Sequence, residues 1–176
     1  INNMFLPIST TENYKTCECD FRDRLKAGKI PPSIPPCSGL SFRRSLLEKI
    51  LPMPAPRSIK ATDHYVKFMA VALSKGFMLS DTLALQRIHN NNAATLRTDR
   101  QHLKAREFIY TALWIKTNFP EFQKFADKWL ALGINTNRGH TGKDPENSKA
   151  IKEFFSSSSF LDMMRVQLMS LYYALK

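Results

Sequence analysis

The stretch AATLRTDRQHLKAREFIYTALWIKTNFPEFQKFADKWLALG, residues 93–133, decides the fold. After Pro120, the residues Phe122, Phe125, Ala126, Trp129 and Leu130 recur at the three-and-four spacing of one helical stripe. Pro120 suits a helix start, where a missing N–H leaves no bond unmade. Gly133 reads as the stop of that helix. Upstream, residues 93–118 read as one long helix with a bend near Glu107. Leu96, Leu103 and Tyr110 share one side of it; Ala94, Arg97, Thr98, Gln101 and Lys104 share the other.

Working towards the N-terminus, a helix is expected from Ser80, carrying Leu85 and Ile88 and ending at Asn90, Asn91 and Asn92. Asparagine both caps helices and tolerates the left-handed conformation, so the triplet can end one helix and start the next. Thr62 and Gly76 bracket an earlier helix with Tyr65, Met69, Ala72 and Leu73 on one face. A short helix after Ser41 turns Leu46, Leu47, Ile50 and Leu51 inward and stops at Pro52, Pro54 and Pro56. Residues 1–36 are poor in helix and strand signals and end in Pro31-Pro32-Ser33-Ile34-Pro35-Pro36, which reads as an extended strap. Towards the C-terminus, residues 133–147 read as a loop. Ile151, Phe154 and Phe155 mark a short helix, broken by Ser156 to Ser159, and residues 160–175 form the last helix. Ser159 and Asp162 resemble a capping box. No alternating strand pattern of useful length is present. The expected fold is all-α: about six helices in one globular domain, 37–176, behind an extended Pro-rich arm, 1–36.

Composition bounds the function. The chain has 176 residues, 43% of them apolar, enough for a real core and against disorder throughout. No run of about 18 uncharged apolar residues exists, so no membrane span is expected. No secretory signal is read at the start, and because the first residue, Ile1, is not Met, the chain is expected to be processed or cut from a longer protein. Three cysteines, Cys17, Cys19 and Cys37, are too few for a disulfide framework, and an intracellular setting follows. They could supply only three zinc ligands, with His64 a distant fourth, so no metal and no cofactor is expected.

Catalytic motifs are missing. None of His64, His89, His102 or His140 stands in a triad or zinc-protease context. Gly139-His140-Thr141-Gly142-Lys143 imitates a phosphate loop, but Asn137 occupies the first glycine position and Asp144 the hydroxyl position. The chain reads as non-enzymatic. Its net charge of +11 favours a polyanionic partner, although the surplus is spread along the sequence.

Residues 80–106 read as helix, Asn-rich turn, helix, the layout in which a second helix enters the DNA major groove. Thr95-Leu96-Arg97-Thr98-Asp99, followed by Leu103, resembles the recognition-helix pattern of the deoxyribose-operon repressor type of winged-helix regulators. The resemblance covers about 20 residues. Arg100 stands in place of a core leucine, and residues 108–130 read as helix where that family has its β-hairpin wing. It implies a DNA-binding helix-turn-helix-like segment and nothing of the family's effector chemistry. Arg97, Thr98, Gln101 and Lys104 would reach bases, with phosphate contacts from Arg43, Arg44, Arg87, Arg100 and Arg106.

The expected function is therefore a basic, regulatory or architectural nucleic-acid-binding protein, with DNA favoured over RNA. A competing reading comes from residues 160–175, apolar on nearly every side, with Arg165 and Gln167 the main exceptions. Such a helix is either buried centrally, the preferred expectation, or docked on a partner or a second copy. The alternative function is thus a helical assembly or protein-interaction module, for example of a virus or mobile element.

Overall fold

The computed structural model describes residues 4–7, 16–32, 34–52, 63–81, 85–88, 101–138 and 144–175; for 4–7, 85–88 and 101–102 it describes the backbone alone. The fold is all-α. Seven α-helices are described: α1 (Arg22–Lys26), α2 (Arg44–Ile50), α3 (Asp63–Leu73), α4 (Gln101–Asn118), α5 (Gln123–Arg138), α6 (Pro145–Ser156) and α7 (Phe160–Ala174). Two small antiparallel ladders accompany them. β1 (Met4–Pro7) pairs with β4 (Leu85–Ile88), and β2 (Cys17–Cys19) pairs with β3 (Gly76–Met78).

The centre is the hairpin of α4 and α5, joined by a 3-10 turn at Pro120–Phe122. The stripe of Phe122, Phe125, Ala126, Trp129 and Leu130 is buried in full, as its spacing predicts. It meets Ile109, Ala112 and Ile115 of α4 in the same core. Trp129 is the aromatic hub: its ring centroid lies 4.7 Å from that of Phe108 and 5.0 Å from that of Phe68 on α3. α3 packs against α4, α6 against α4, and α7 against α5. At α6, Asp144 Oδ1 caps the helix by accepting from the amides of Glu146 (3.0 Å) and Asn147 (3.4 Å), and Pro145 opens its first turn. Lys116 of α4 donates to the Phe154 carbonyl at 2.7 Å and so ties α4 to α6.

Several expectations are corrected. Leu85–Ile88 is a strand, not part of a helix begun at Ser80. A helix of nine residues is marginal alone, and pairing with Met4–Pro7 satisfies the same backbone groups. Residues 1–36 are not uniformly extended: β2 and α1 form within them, and Leu25 is fully buried. α5 does not stop at Gly133 but runs to Arg138, because the glycine lets α4 approach. A Cβ there would sit 2.7 Å from Ile109 Cγ1. α3 ends at Leu73, and Gly76 starts a strand instead. The helix start expected at Ala93 and the cap expected at Thr62 lie outside the described residues. Among those residues, no helix is long and apolar enough to cross a membrane.

Candidate interaction surface

α7 begins with the cap its sequence announces. Ser159 Oγ accepts from the Asp162 amide at 3.1 Å and donates to Asp162 Oδ2 at 2.7 Å. From there its side chains divide between two opposite faces. Val166 and Ser170 are buried, and Met169 and Tyr173 pack on the core beside them. Asn135 of α5 donates to the Tyr173 carbonyl at 3.1 Å, and Arg138 donates to Gln167 Oε1 at 3.2 Å. Arg165 pairs with Asp127 of α5 and, at 2.7 Å, with Asp162. Burial pushes the Asp127 carboxyl above the usual range even though Arg165 pulls it down. The inner face of α7 is thereby fixed to α5.

The other face is apolar and open. Leu161, Met164, Leu168, Leu171 and Leu175 follow one another at spacings of three, four, three and four, which puts them on one stripe. Leu161 is 77% exposed, Leu168 61% and Leu175 88%, and Phe160 and Tyr172 widen the stripe on its flanks. Taking about 150–250 Å² for a large side chain wholly out of contact, these exposures amount to on the order of 800 Å² of apolar surface. That exceeds the largest apolar patch of an ordinary monomer, about 300–600 Å². The preferred expectation, burial of this helix on all sides, is corrected: among the described residues α7 packs mainly on α5, and its outer face stays exposed.

Of the nine residues expected to contact nucleic acid, the structure describes the side chains of Arg43, Arg44, Lys104 and Arg106, and these stand at the start of α2 and on α4. Arg43 and Arg44 stand exposed at the start of α2, with Arg44 paired to Glu48 at 3.0 Å. Lys104 is exposed on α4, its ammonium 5.7 Å from the Phe108 ring centroid. Arg106 is largely buried and engaged, 2.5 Å from Asp144 and 3.1 Å from Glu146, and serves to join α4 to α6. Arg87 lies in β4 and Gln101 opens α4, with only their backbones described. Arg97, Thr98 and Arg100 lie outside the described residues.

Two other features have no counterpart in the sequence reading. His64 Nδ1 lies 2.6 Å from Glu107 Oε1 beneath the rings of Phe68, Phe108 and Trp129, bracing α3 against α4. A groove of about 820 Å³ runs between α2, α3 and the β2–β3 ladder, lined by Phe42, Leu46, Lys67, Val71 and Met78. Cys37 borders α3, its amide donating to Asp63 Oδ2 at 3.3 Å; burial raises its thiol to about 11. Among the described residues, no group of three His, Cys, Asp or Glu is arranged to hold a metal. Comparison with protein-family models, characterised proteins and solved structures finds no match for this chain.

Proposed function

We propose that the chain is a helical assembly module that docks through the outer face of α7 onto an apolar helix face of a partner. The observation that carries this is the unbroken apolar stripe from Leu161 to Leu175, exposed although the opposite face of the same helix is packed. A buried helix has no need of a second apolar face, and a solvent-facing one ordinarily carries charge. An area on the order of 800 Å² is the contribution each side makes to a standard protein–protein interface.

The test is a double variant, Leu161→Glu with Leu168→Glu. Exposed positions tolerate such changes within about 0.5 kcal/mol, so the dilute protein keeps its helical circular dichroism and unfolding midpoint while association disappears. A midpoint several degrees lower in dilute solution, or association that persists, would contradict the reading.

Nucleic-acid binding is a second reading, supported by charge. Arg24, Lys26 and Lys29, around α1, and Lys124 on α5 are exposed and, among the described residues, in no ion pair. The turn at Gly28 lies against the Lys124 backbone, which sets Lys29 beside Lys124. With a net charge of +11 and further exposed cations such as Arg43 and Lys104 elsewhere, this distribution suits phosphate-backbone contact more than base reading.

A further inference from the structure

The open face of α7 could receive any apolar helix; the choice among occupants made here rests on the assembly reading. We propose that the occupant is α7 of a second copy of this chain, packed antiparallel about a two-fold axis at Leu168.

The stripe is nearly palindromic in position. Leu161 and Leu175 stand seven residues either side of Leu168; Met164 precedes it by four and Leu171 follows it by three. Laid antiparallel on itself, the helix sets Leu161 against Leu175 at both ends and Leu168 against its own copy, with Met164 level with Tyr172 and one residue from Leu171. Alternating three and four is the spacing of a two-helix seam. An isologous interface needs a surface complementary to itself, and this one qualifies because none of its residues is charged. A different partner would ordinarily be selected by charges within the stripe, and the stripe holds none.

Orientation follows from electrostatics. Antiparallel packing brings each helix N-terminus to the other's C-terminus, where the dipoles attract. It also places each Arg165 at the level of the second copy's Leu171. Parallel packing would instead line the two Arg165 side chains along the same level, between bodies that each carry +11.

Sedimentation equilibrium at micromolar concentration tests the pairing, and cysteine cross-linking tests its direction. The full chain should sediment at twice its 20.2 kDa. Leu168→Asp should weaken association at least ~100-fold, since the axis meets the change twice, with circular dichroism unchanged. Leu161→Cys mixed with Leu175→Cys should give a 161–175 link between chains, located by peptide mass spectrometry. Leu161→Cys alone should give on the order of tenfold less of its 161–161 link. Preferential 161–161 and 175–175 links would overturn the antiparallel geometry. A monomer at every concentration, binding an apolar dye that Leu168→Asp displaces, would overturn the second copy and leave the assembly reading standing. A monomer whose dye binding ignores Leu168→Asp would overturn both.

Discussion

Gly133→Ala tests the packing on which the rest of the fold depends. Gly133 sits inside α5 where that helix crosses α4. An added Cβ would lie 2.7 Å from Ile109 Cγ1, 3.1 Å from Ile109 N and 3.2 Å from Phe108 Cβ. Carbon atoms pack at about 3.5–4.0 Å, so the nearest approach is about 1 Å too close. Relief is difficult. Ile109 is fully buried and β-branched, with χ1 held nearly rigid in a helix, and the second neighbour is backbone. α4 and α5 must therefore separate, loosening Trp129 and Ile134 on either side of the crossing. Overpacking of this kind costs about 1–3 kcal/mol, and alanine's better helix propensity returns about 0.5–1 kcal/mol. With mid-range values the net is a loss of about 1 kcal/mol. At about 2–4 °C per kcal/mol for a chain of this size, the midpoint should fall by about 2–5 °C. Urea unfolding followed by circular dichroism and a calorimetric scan would read both quantities. Gly76→Ala is the control: its Cβ meets only Cys19 Sγ at 3.4 Å, so it should stay within about 0.5 kcal/mol. A Gly133→Ala protein as stable as the parent would refute the close crossing.

Three further outcomes are expected. Asp144→Ala removes the α6 cap and the Arg106 ion pair together and should destabilise by about 1–3 kcal/mol at neutral pH. Burial opposes ionisation of Asp144, but Arg106 and the amides of Asn147 and Glu146 outweigh it and hold its pKa below the usual value. Its contribution is therefore complete above about pH 4 and fades as acid drives the pH through the lower folded-state value, so the gap between variant and parent in urea titrations should close there. The thiol of Cys37, raised to about 11, should be alkylated by iodoacetamide at pH 8 on the order of 100-fold more slowly than exposed Cys17, read by mass spectrometry; equal rates would contradict its burial. If the basic surface meets phosphates, Lys29→Glu with Lys124→Glu should flatten the slope of log K against log salt by about 0.9 for each duplex-DNA phosphate no longer neutralised, and an unchanged slope would remove those residues from the surface.

The hairpin of α4 and α5 is legible from sequence because its signal is local. Apolar side chains at helical spacing have one way to leave water together, and Phe122 to Leu130 take it. Gly133 misleads for an equally physical reason: a glycine inside a helix and one ending it look alike until the neighbouring helix is placed. The Leu85–Ile88 strand is invisible because its partner, Met4–Pro7, lies some 80 residues away in sequence, and a four-residue ladder leaves no periodicity. Arg106 reads as a phosphate ligand since its charge is evident from sequence, whereas the carboxylates of Asp144 and Glu146 reach it only through the docking of α6. The apolar character of residues 160–175 is plain. Which half of it the fold covers is not, because that depends on how many neighbours α7 acquires.

The measurement that tests the docking surface most directly is hydrogen exchange across residues 160–175 at two protein concentrations, one below and one above the association midpoint. Amides of α7 should become more protected at the higher concentration, with those of α4 and α5 unchanged. Exchange in α7 that ignores concentration, or protection that rises across the whole chain alike, would contradict a docking role for this helix.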